Sequence, residues 1–225
     1  MTQLKPFYYS HIIWDWNGTL LDDLQPSVGA VNEILKSQAC APLTVFEYQN
    51  LMEAPIKSFY KKIVNFEKLS FLQAIEMYSC AYEKYAGNCN LRSGARQVLE
   101  LLEAMGSTQM IVSACEEKRL LTQAARLEIL QYFDTVLAAD NACGESKIER
   151  AVRYFEQKEA EMQDVVVIGD TTHDFELAKE LGCECVLIAG GHEDVEHLLK
   201  CDALVFNSLQ EFLWYVQDSV QQLAG

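Results

Sequence analysis

The run Val165-Val-Val-Ile-Gly169, which lies between two aspartates, constrains the fold more than any other feature of the sequence. It is apolar at every position, whereas a strand with one face in water alternates apolar and polar residues. A continuously apolar strand is typical of a parallel sheet that helices cover on both faces. The sequence therefore predicts a buried parallel strand that ends directly before Asp170.

Strand-like and helix-like segments alternate on both sides of this run. Further strand patterns occupy residues 8–14, 109–113, 135–138, 185–188 and 203–206, and helical patterns lie between them from residue 93 onward. This alternation predicts an α/β fold with a doubly wound, Rossmann-like parallel sheet. Residues 26–90 show helical periodicity alone. We expect a core domain of residues 1–21 and 91–225, interrupted after the first strand by a helical domain of residues 22–90.

Three capping boxes mark expected helix starts. They are Thr44 with Glu47, Ser70 with Gln73 and Ser146 with Glu149. In each, a hydroxyl and a Glu or Gln side chain can satisfy the free amides of a first helical turn. The third box puts Lys147 at the start of a helix.

The charge of the chain narrows its possible partners. Acidic residues number 33 and basic residues 18, which gives a net charge of −15. Such a chain repels nucleic-acid phosphates, and no basic stripe offsets the repulsion. No apolar run approaches the roughly 20 residues that span a bilayer, and residues 1–6 lack the apolar stretch of a secretory signal. We expect no nucleic-acid partner, no membrane partner and a cytoplasmic location.

The eight cysteines agree with that location. They lie at positions 40, 80, 89, 115, 143, 183, 185 and 201 and form no paired Cys-x-x-Cys sets. Several stand inside strand-like or helix-like segments. We interpret them as free thiols of a reducing compartment.

Polar residues follow several of the expected strands. Asp15, Asn17 and Thr19 follow the first strand, Ser113 follows the second, Asp170 and Asp174 follow the run at 165–169, and Lys147 follows residues 135–138. In open α/β sheets, ligands bind at the carboxyl ends of the strands. Three carboxylates at one edge repel each other unless a cation joins them, and hard oxygen ligands beside a phosphate indicate Mg²⁺. A carboxylate can also attack phosphorus and form a covalent intermediate.

This set of motifs resembles the haloacid dehalogenase superfamily, and in particular its phosphoglycolate-phosphatase-like branch. The motifs are Asp15-Trp-Asn-Gly-Thr19, Ser113 after an apolar strand, Lys147, and Gly169-Asp170 with Asp174, in that order. The helical domain after the first motif resembles the cap of that branch. The resemblance implies a Mg²⁺-dependent phosphatase that acts on a small phosphorylated metabolite through an aspartyl-phosphate.

The resemblance also implies a role for each site residue. Asp15 is the expected nucleophile, and Asn17, Ser113 and Lys147 complete the expected catalytic set. Lys147, Ser113, Ala114 and the amides around Gly18 are expected to bind the phosphate. The expected Mg²⁺ ligands are Asp15, Asp170 and the backbone carbonyl of Asn17, with Asp174 supporting them. Plainer roles stay open: Ser113 as a helix N-cap, Lys147 as a solvated lysine and Asp174 as an early-helix acid.

Asn17 departs from the family, which usually carries a proton-donating Asp two residues after the nucleophile. An amide cannot titrate, and general acid–base catalysis typically contributes about 10²–10⁴-fold. We consider three explanations. The protein is a phosphatase whose proton comes from elsewhere; it is a phosphate-sensing protein with a long-lived phospho-Asp15; or Asn17 deamidates beside Gly18.

Other function classes stay open as well. A haloacid-type dehalogenase would use the same nucleophile without Mg²⁺, and the pair Asp170 and Asp174 argues against it. A protein-interaction domain would not need the four motifs. His173 is interpreted as a structural histidine, and a position of His192 at the site, reached from its loop, stays open.

The cap is expected to select the substrate. Residues Met52 to Pro55 are expected near its entrance, where Glu53, unless protonated or paired, would disfavour a second anionic group such as that of phosphoglycolate. The cap aromatics, which are Phe59, Tyr60, Tyr78, Tyr82 and Tyr85, are expected in the hydrophobic core. We expect a monomer, because the cap already covers the site.

Overall fold

The computed structural model of the protein describes residues 6–140, 146–158 and 161–223. Its strands are β1 (His11–Trp14), β2 (Thr108–Glu116), β3 (Thr135–Ala139), β4 (Val165–Gly169), β5 (Glu184–Ile188) and β6 (Leu204–Phe206). Its helices are α1 (Leu24–Ser37), α2 (Val45–Leu51), α3 (Ile56–Ile63), α4 (Phe71–Ala86), α5 (Ala95–Ala104), α6 (Glu117–Arg126), α7 (Lys147–Phe155), α8 (Thr172–Leu181), α9 (Val195–Leu198) and α10 (Leu209–Leu223).

The six strands form one parallel sheet in the order β3-β2-β1-β4-β5-β6. Every residue of β4 is buried, as its continuous apolar run requires. The strand order reverses between β1 and β4, and such a switch point opens a crevice at the carboxyl ends of the strands. The predicted α/β doubly wound fold is confirmed.

The first strand is shorter than the predicted Tyr8–Trp14. Pairing begins at His11, which lies opposite Thr108 of β2 and Val165 of β4. Tyr8 is exposed, so the aromatic residues before His11 misled the prediction. The second strand is longer than predicted and continues to Glu116.

Helices α1 to α4 occupy the expected cap segment. A hydrophobic cluster built from α1 to α4 and the loops between them fills its distal part, and includes Val31, Ile34, Tyr48 and Phe59. The base of the cap instead joins the hydrophobic cluster of the core through Ala30, Ala81, Tyr82 and Ala86. The three capping boxes form as predicted.

The two connectors of the cap run side by side. The backbone amide of Asp22 donates to the carbonyl of Asn90 (2.9 Å), and that of Arg92 donates to the carbonyl of Leu20 (2.9 Å). Leu21 and Leu91 form an antiparallel bridge. The chain therefore leaves the core after β1 and returns to it before α5 at one place.

Seven cysteines are described, and all are free thiols; Cys143 lies outside the described residues. In the part of the chain that the structure describes, no helix combines the length and the apolar character needed to cross a membrane.

Candidate active site

Asp15 stands at the centre of the crevice, directly after β1. Its backbone amide donates to the carbonyl of Ile168 (2.9 Å), which ties it to β4. The side chain is buried, and Oδ1 accepts a hydrogen bond from Nζ of Lys147 (2.9 Å). Among the described residues, Oδ2 has only a long contact, 3.5 Å, with the hydroxyl of Thr19. Oδ2 is therefore the less engaged of the two carboxylate oxygens.

Lys147 is the first residue of α7 and is also buried. Its ammonium bridges Asp15 and Oδ1 of Asp174, the latter at 2.6 Å. The capping box of Ser146 and Glu149 fixes the helical turn that carries it. The alternative of a solvated lysine is therefore wrong.

Asp174 lies in the first turn of α8 and combines two tasks. Its Oδ2 accepts hydrogen bonds from the amide of Thr171 (3.0 Å), the hydroxyl of Thr171 (2.7 Å) and the amide of Asp170 (3.2 Å). Its Oδ1 holds Lys147. The early-helix role and the site role considered for this residue thus coexist.

Three buried carboxylates, from Asp15, Asp170 and Asp174, have oxygen atoms within 4.8 Å of one another. Burial raises the pKa of Asp15 to about 8, and repulsion from Asp174 and Asp170 adds to this effect against the attraction of Lys147. Burial likewise raises the pKa of Asp170. Lys147 holds the pKa of Asp174 below its usual range in spite of burial.

The charges of this cluster fit a divalent cation. Three carboxylates beside one ammonium leave two negative charges, which is the charge that one Mg²⁺ would balance. Carboxylate oxygens are the ligands that Mg²⁺ prefers, and a nearby cation would relieve the repulsion that raises the pKa of Asp15. Asp15 and Asp170 are the side chains that could hold it.

Glycines give the loops their close approach to Asp170. Gly18 has a positive φ of 75°, which favours glycine. A Cβ atom there would overlap Asp170 and His192, and a Cβ atom at Gly191 would also overlap Asp170. Both loops therefore lie against this carboxylate without space for a side chain.

The expected phosphate-binding residues surround the same point. Ser113 is buried near the end of β2, and its Oγ accepts a hydrogen bond from the amide of Cys115 (3.1 Å). Helix α6 begins only at Glu117 with Glu116 as its N-cap, so Ser113 does not cap it. Ala114 is exposed at the cavity, beside Ser113.

Sequence reasoning missed Asp23, which is fully buried beside the loop of residues 15–19 after β1. Its Oδ1 accepts from the amide of Gly18 (2.8 Å), and its Oδ2 accepts from Asn17 Nδ2 (2.6 Å) and the hydroxyl of Tyr82 (2.7 Å). Although burial opposes it, the charge of His192 and these hydrogen bonds hold the pKa of Asp23 below its usual range.

His192 is closer to the site than the sequence indicated. Its backbone amide donates to Oδ2 of Asp170 (2.6 Å), Nε2 lies 3.1 Å from Oδ1 of Asp23, and Nδ1 lies 3.0 Å from the hydroxyl of Tyr48. Against the effect of burial, the charge and hydrogen bond of Asp23 raise the pKa of His192 to about 9. The Gly190-Gly191 pair before it, after β5, was the available signal.

Arg92 ties the hinge of the cap to two site loops. Its guanidinium donates to the carbonyls of Gly18 and Ala189, each at 2.6 Å. His173 also borders the site, and burial lowers its pKa to about 4, with a further contribution from Lys147. A neutral His173 agrees with its interpretation as a structural histidine.

A cavity of about 720 Å³ lies between core and cap. We call one side the core wall, formed by Asp15, Asn17, Ser113, Lys147, Arg150 and His192. The other side is the cap wall, formed by Val31, Tyr48, Ile56, Phe59, Tyr60, Ile75, Tyr78 and Tyr82. Met52 to Pro55 also line the cavity. The core wall is charged and polar, and the cap wall is largely aromatic.

The cap aromatics divide differently from the expectation. Phe59, Tyr60 and Tyr82 are buried, but they also line the cavity. Tyr85 is 46% exposed, and its hydroxyl donates to Glu33 (3.0 Å), so its expected place in the core is wrong. It lies on the outer face of α4.

Comparison with known proteins agrees with this geometry. The sequence is 27% identical over 225 residues to a phosphoglycolate phosphatase of Nitrosospira multiformis, covering 95% of this chain and 98% of that protein. The fold is similar to a haloacid dehalogenase-like hydrolase, SP0104 from Streptococcus pneumoniae (TM-score 0.78, 20% identity, 92% of this chain and 98% of that one). It is also similar to CbbY from Rhodobacter sphaeroides, solved in complex with phosphate (TM-score 0.70, 15% identity, 93% and 99% of the two chains). The sequence model of the haloacid dehalogenase-like hydrolases matches residues 12–188, and the chain belongs to this family.

Proposed function

We propose that the protein is a Mg²⁺-dependent phosphatase that hydrolyses a small phosphomonoester through phospho-Asp15. The observation that carries this proposal is the buried carboxylate of Asp15, held by Lys147 beside Asp170 and Asp174. Membership of the hydrolase family supports it, and so does the similarity to a phosphoglycolate phosphatase.

The reaction divides into two displacements. Oδ2 of Asp15 attacks phosphorus, and the bond between phosphorus and the substrate oxygen breaks. The ammonium of Lys147, the hydroxyl of Ser113 and the amide of Ala114 would bind the phosphoryl oxygens, over which the charge spreads. The amide of Gly18, which the sequence assigned to the phosphate, already donates to Asp23 and to the carbonyl of Leu21. Water then attacks phosphorus, and Asp15 leaves as a carboxylate.

Asp15, Asp170 and the backbone carbonyl of Asn17 would hold Mg²⁺ in this proposal, and Asp174 would support them. The ion would supply neutralisation of the charge on the transferred phosphoryl group. The residues of the chain would orient the nucleophile, and the cap would exclude bulk water.

The walls of the cavity suggest the kind of ester. Asn17 cannot give the leaving oxygen a proton, so an acidic leaving group reacts best. The cap wall is aromatic, and Glu53 near it forms an ion pair with Lys62 (2.6 Å), so it adds no net charge. The aromatic wall favours a substrate with an apolar organic part. The site needs no second subunit, so we keep the expectation of a monomer.

The alternatives differ in their support. Asn17 favours a phosphate-sensing protein with slow turnover, and a phospho-Asp15 that persists for hours would establish it. The carboxylate cluster argues against a dehalogenase, which needs no metal. Deamidation of Asn17 needs attack by the amide of Gly18, but that amide donates to Asp23 (2.8 Å) and to the carbonyl of Leu21 (3.1 Å).

The test is hydrolysis of p-nitrophenyl phosphate, with Mg²⁺ or with a chelator, by the natural protein and by Asp15→Asn. Nitrophenolate hardly needs a proton to leave, so Asn17 does not mask activity. We expect Mg²⁺-dependent turnover that Asp15→Asn abolishes. Full activity of Asp15→Asn, or turnover unaffected by the chelator, would contradict the proposal.

A further inference from the structure

Asp23 stands at the N-terminus of α1, where an aspartate commonly accepts hydrogen bonds from the first helical amides. Here its side chain does not cap the helix. Its carboxylate turns to the nucleophile loop and accepts hydrogen bonds from Gly18, Asn17 and Tyr82. Oδ1 also lies 3.1 Å from Nε2 of His192. A fully buried carboxylate with these partners serves the site and not the helix.

The partners of Asn17 fix the orientation of its amide. A carboxylate only accepts hydrogen bonds, so the atom of Asn17 that lies 2.6 Å from Oδ2 of Asp23 must be the nitrogen. The second hydrogen of Nδ2 is directed to the hydroxyl oxygen of Tyr82 (3.1 Å). That hydroxyl cannot donate back, because it donates to Asp23 (2.7 Å).

Both N–H groups of the amide are therefore in use. Among the described residues, none donates a hydrogen bond to Oδ1 of Asn17. Asn17 is partly exposed and lines the cavity next to Asp15. The polar atom that it can offer to a molecule in the cavity is thus an acceptor.

We infer that Asp23 is a positioning residue, which with Tyr82 holds the Asn17 amide so that Oδ1 accepts a hydrogen bond from the water that attacks phospho-Asp15. This inference rests on the proposed phosphatase function. It gives Asn17 a task in the second displacement, which an amide can perform without titrating.

The second displacement balances without a base. Water oxygen forms the new bond to phosphorus, the bond between phosphorus and Asp15 breaks, and its electron pair stays on the Asp15 carboxylate. Both protons of the water remain with the product, which leaves as dihydrogen phosphate. Asn17 needs only to orient the water. The amide of Asn17 gives no such help to the first displacement, where the leaving oxygen needs a proton.

The same geometry predicts an unusual response to replacing the amide. Asn17→Asp alone would put two carboxyl groups in contact, and one of them must then hold a proton. Asn17→Asp combined with Asp23→Asn restores a contact between one amide and one carboxylate, with the two groups exchanged. The double variant should therefore work better than either single variant.

The experiment separates the two displacements with p-nitrophenyl phosphate and Mg²⁺. The burst of nitrophenolate measures the formation of phospho-Asp15. The steady rate that follows the burst measures hydrolysis of phospho-Asp15, with the amount of this intermediate calibrated by acid quenching. We expect Asp23→Asn to keep the burst rate within about threefold and to slow hydrolysis at least tenfold. We expect the double variant to recover hydrolysis at least threefold over each single variant.

A milder pair of variants tests the same inference if Asp23→Asn misfolds. Tyr82→Phe removes one hydroxyl from the network and should slow hydrolysis of phospho-Asp15 about two- to fivefold. Tyr85→Phe, on the same helix but with its hydroxyl on Glu33, should leave that rate unchanged. If Asp23→Asn does not fold, the comparison of Tyr82→Phe with Tyr85→Phe tests the inference in its place.

Three results would overturn the inference. Hydrolysis of phospho-Asp15 could proceed at the natural rate in Asp23→Asn or, failing that variant, in Tyr82→Phe. Both displacements could slow equally, which indicates general damage. Asn17→Asp alone could match or exceed the double variant. A natural protein that forms no phospho-Asp15 would instead contradict the proposed function itself.

Discussion

The two walls of the cavity hold their side chains in different ways. On the core wall, Asp15 and Lys147 are fixed by charged partners at 2.6–2.9 Å, and each partner is itself held by others. On the cap wall, Tyr78 and Tyr82 direct their hydroxyls away to Ser27 and Asp23 and present their rings. We propose that the core wall carries the reaction and that the cap wall selects the substrate. Changes on each wall should therefore alter different measured quantities.

The largest effect is expected at the nucleophile. Asp15→Asn should lower kcat for p-nitrophenyl phosphate at least about 10³-fold, because no other group replaces the attacking carboxylate. It should raise the free energy of unfolding near pH 7 in a metal chelator, because burial and repulsion raise the pKa of Asp15 and its charged form therefore destabilises the fold. Kinetics and urea unfolding measure the two quantities. The matched control is Asp164→Asn at the opposite end of β4, which should leave kcat unchanged; a comparable loss there would show that the effect is not local.

The contact between His192 and Asp23 should depend on pH. The folded protein keeps His192 protonated up to about pH 9, whereas an unfolded histidine loses its proton near about 6.5. The stability that His192 gains from Asp23 is therefore fully present below about pH 6.5 and is lost as the pH rises through about 9. Urea unfolding in a metal chelator should show His192→Gln less stable than the natural protein by on the order of 1–3 kcal/mol at pH 6, and less so at pH 9.5.

His173→Gln provides the control for that pH range, because the pKa of His173 is lowered to about 4. The difference in the free energy of unfolding between His173→Gln and the natural protein should stay constant between pH 7 and pH 9.5. A loss of stability in His192→Gln that grows with pH would contradict the stabilisation that we assign to protonated His192.

The cap wall should control substrate choice. The natural protein should prefer 2-phenylethyl phosphate over ethyl phosphate at least about tenfold in kcat/KM, because the ring buries against aromatic side chains. The two alcohols leave with similar difficulty, so Asn17 does not affect the ratio. Phe59→Leu should lower this ratio about three- to tenfold, as measured by phosphate release.

Phe66→Leu is the matched control, because Phe66 packs in the cap without lining the cavity. It should leave the ratio unchanged. A natural protein that prefers 2-phosphoglycolate over the aromatic ester would remove the selective role that we give to this wall.

The smallest effects concern two equivalent capping boxes. Ser70→Ala at α4 in the cap and Ser146→Ala at α7 in the core should each cost about 1 kcal/mol of stability. Only Ser146→Ala should also lower kcat, by a few-fold, because its helical turn positions Lys147. Thermal unfolding and kinetics on both variants make the comparison, and an equal loss of kcat in Ser70→Ala would break the division between the walls.

The sequence allowed the core wall to be predicted more completely than the cap wall. Asp15, Ser113 and Lys147 each belong to the carboxyl end of a strand or follow one, and parallel strands bring such positions to one edge. This local rule needs no knowledge of side-chain contacts. The buried run of β4 and the three capping boxes were predictable for the same reason.

Residues placed by distant contacts could not be predicted in this way. Asp23 contacts Tyr82 and His192 in its buried position, and His192 is 169 residues away in the chain. Tyr48 meets His192 only when α2 lies against the loop after β5. Tyr85 has the same residue type and helix as Tyr82 but faces outward. Helical periodicity indicated an apolar face without locating its edges.

The paired connectors at Leu21 and Leu91 have a consequence for how such proteins diversify. Because the chain leaves the core and returns to it at one backbone ladder, a genetic exchange of the segment between them leaves β1 and α5 in place. Arg92 lies on the core side of that junction and would keep its hydrogen bonds to the carbonyls of Gly18 and Ala189. A cap taken from another protein would thus pack against a loop after β1 that residues of the core already hold in place. It would still have to bring an apolar base to replace Ala30, Ala81 and Ala86, and a hydroxyl at the position of Tyr82.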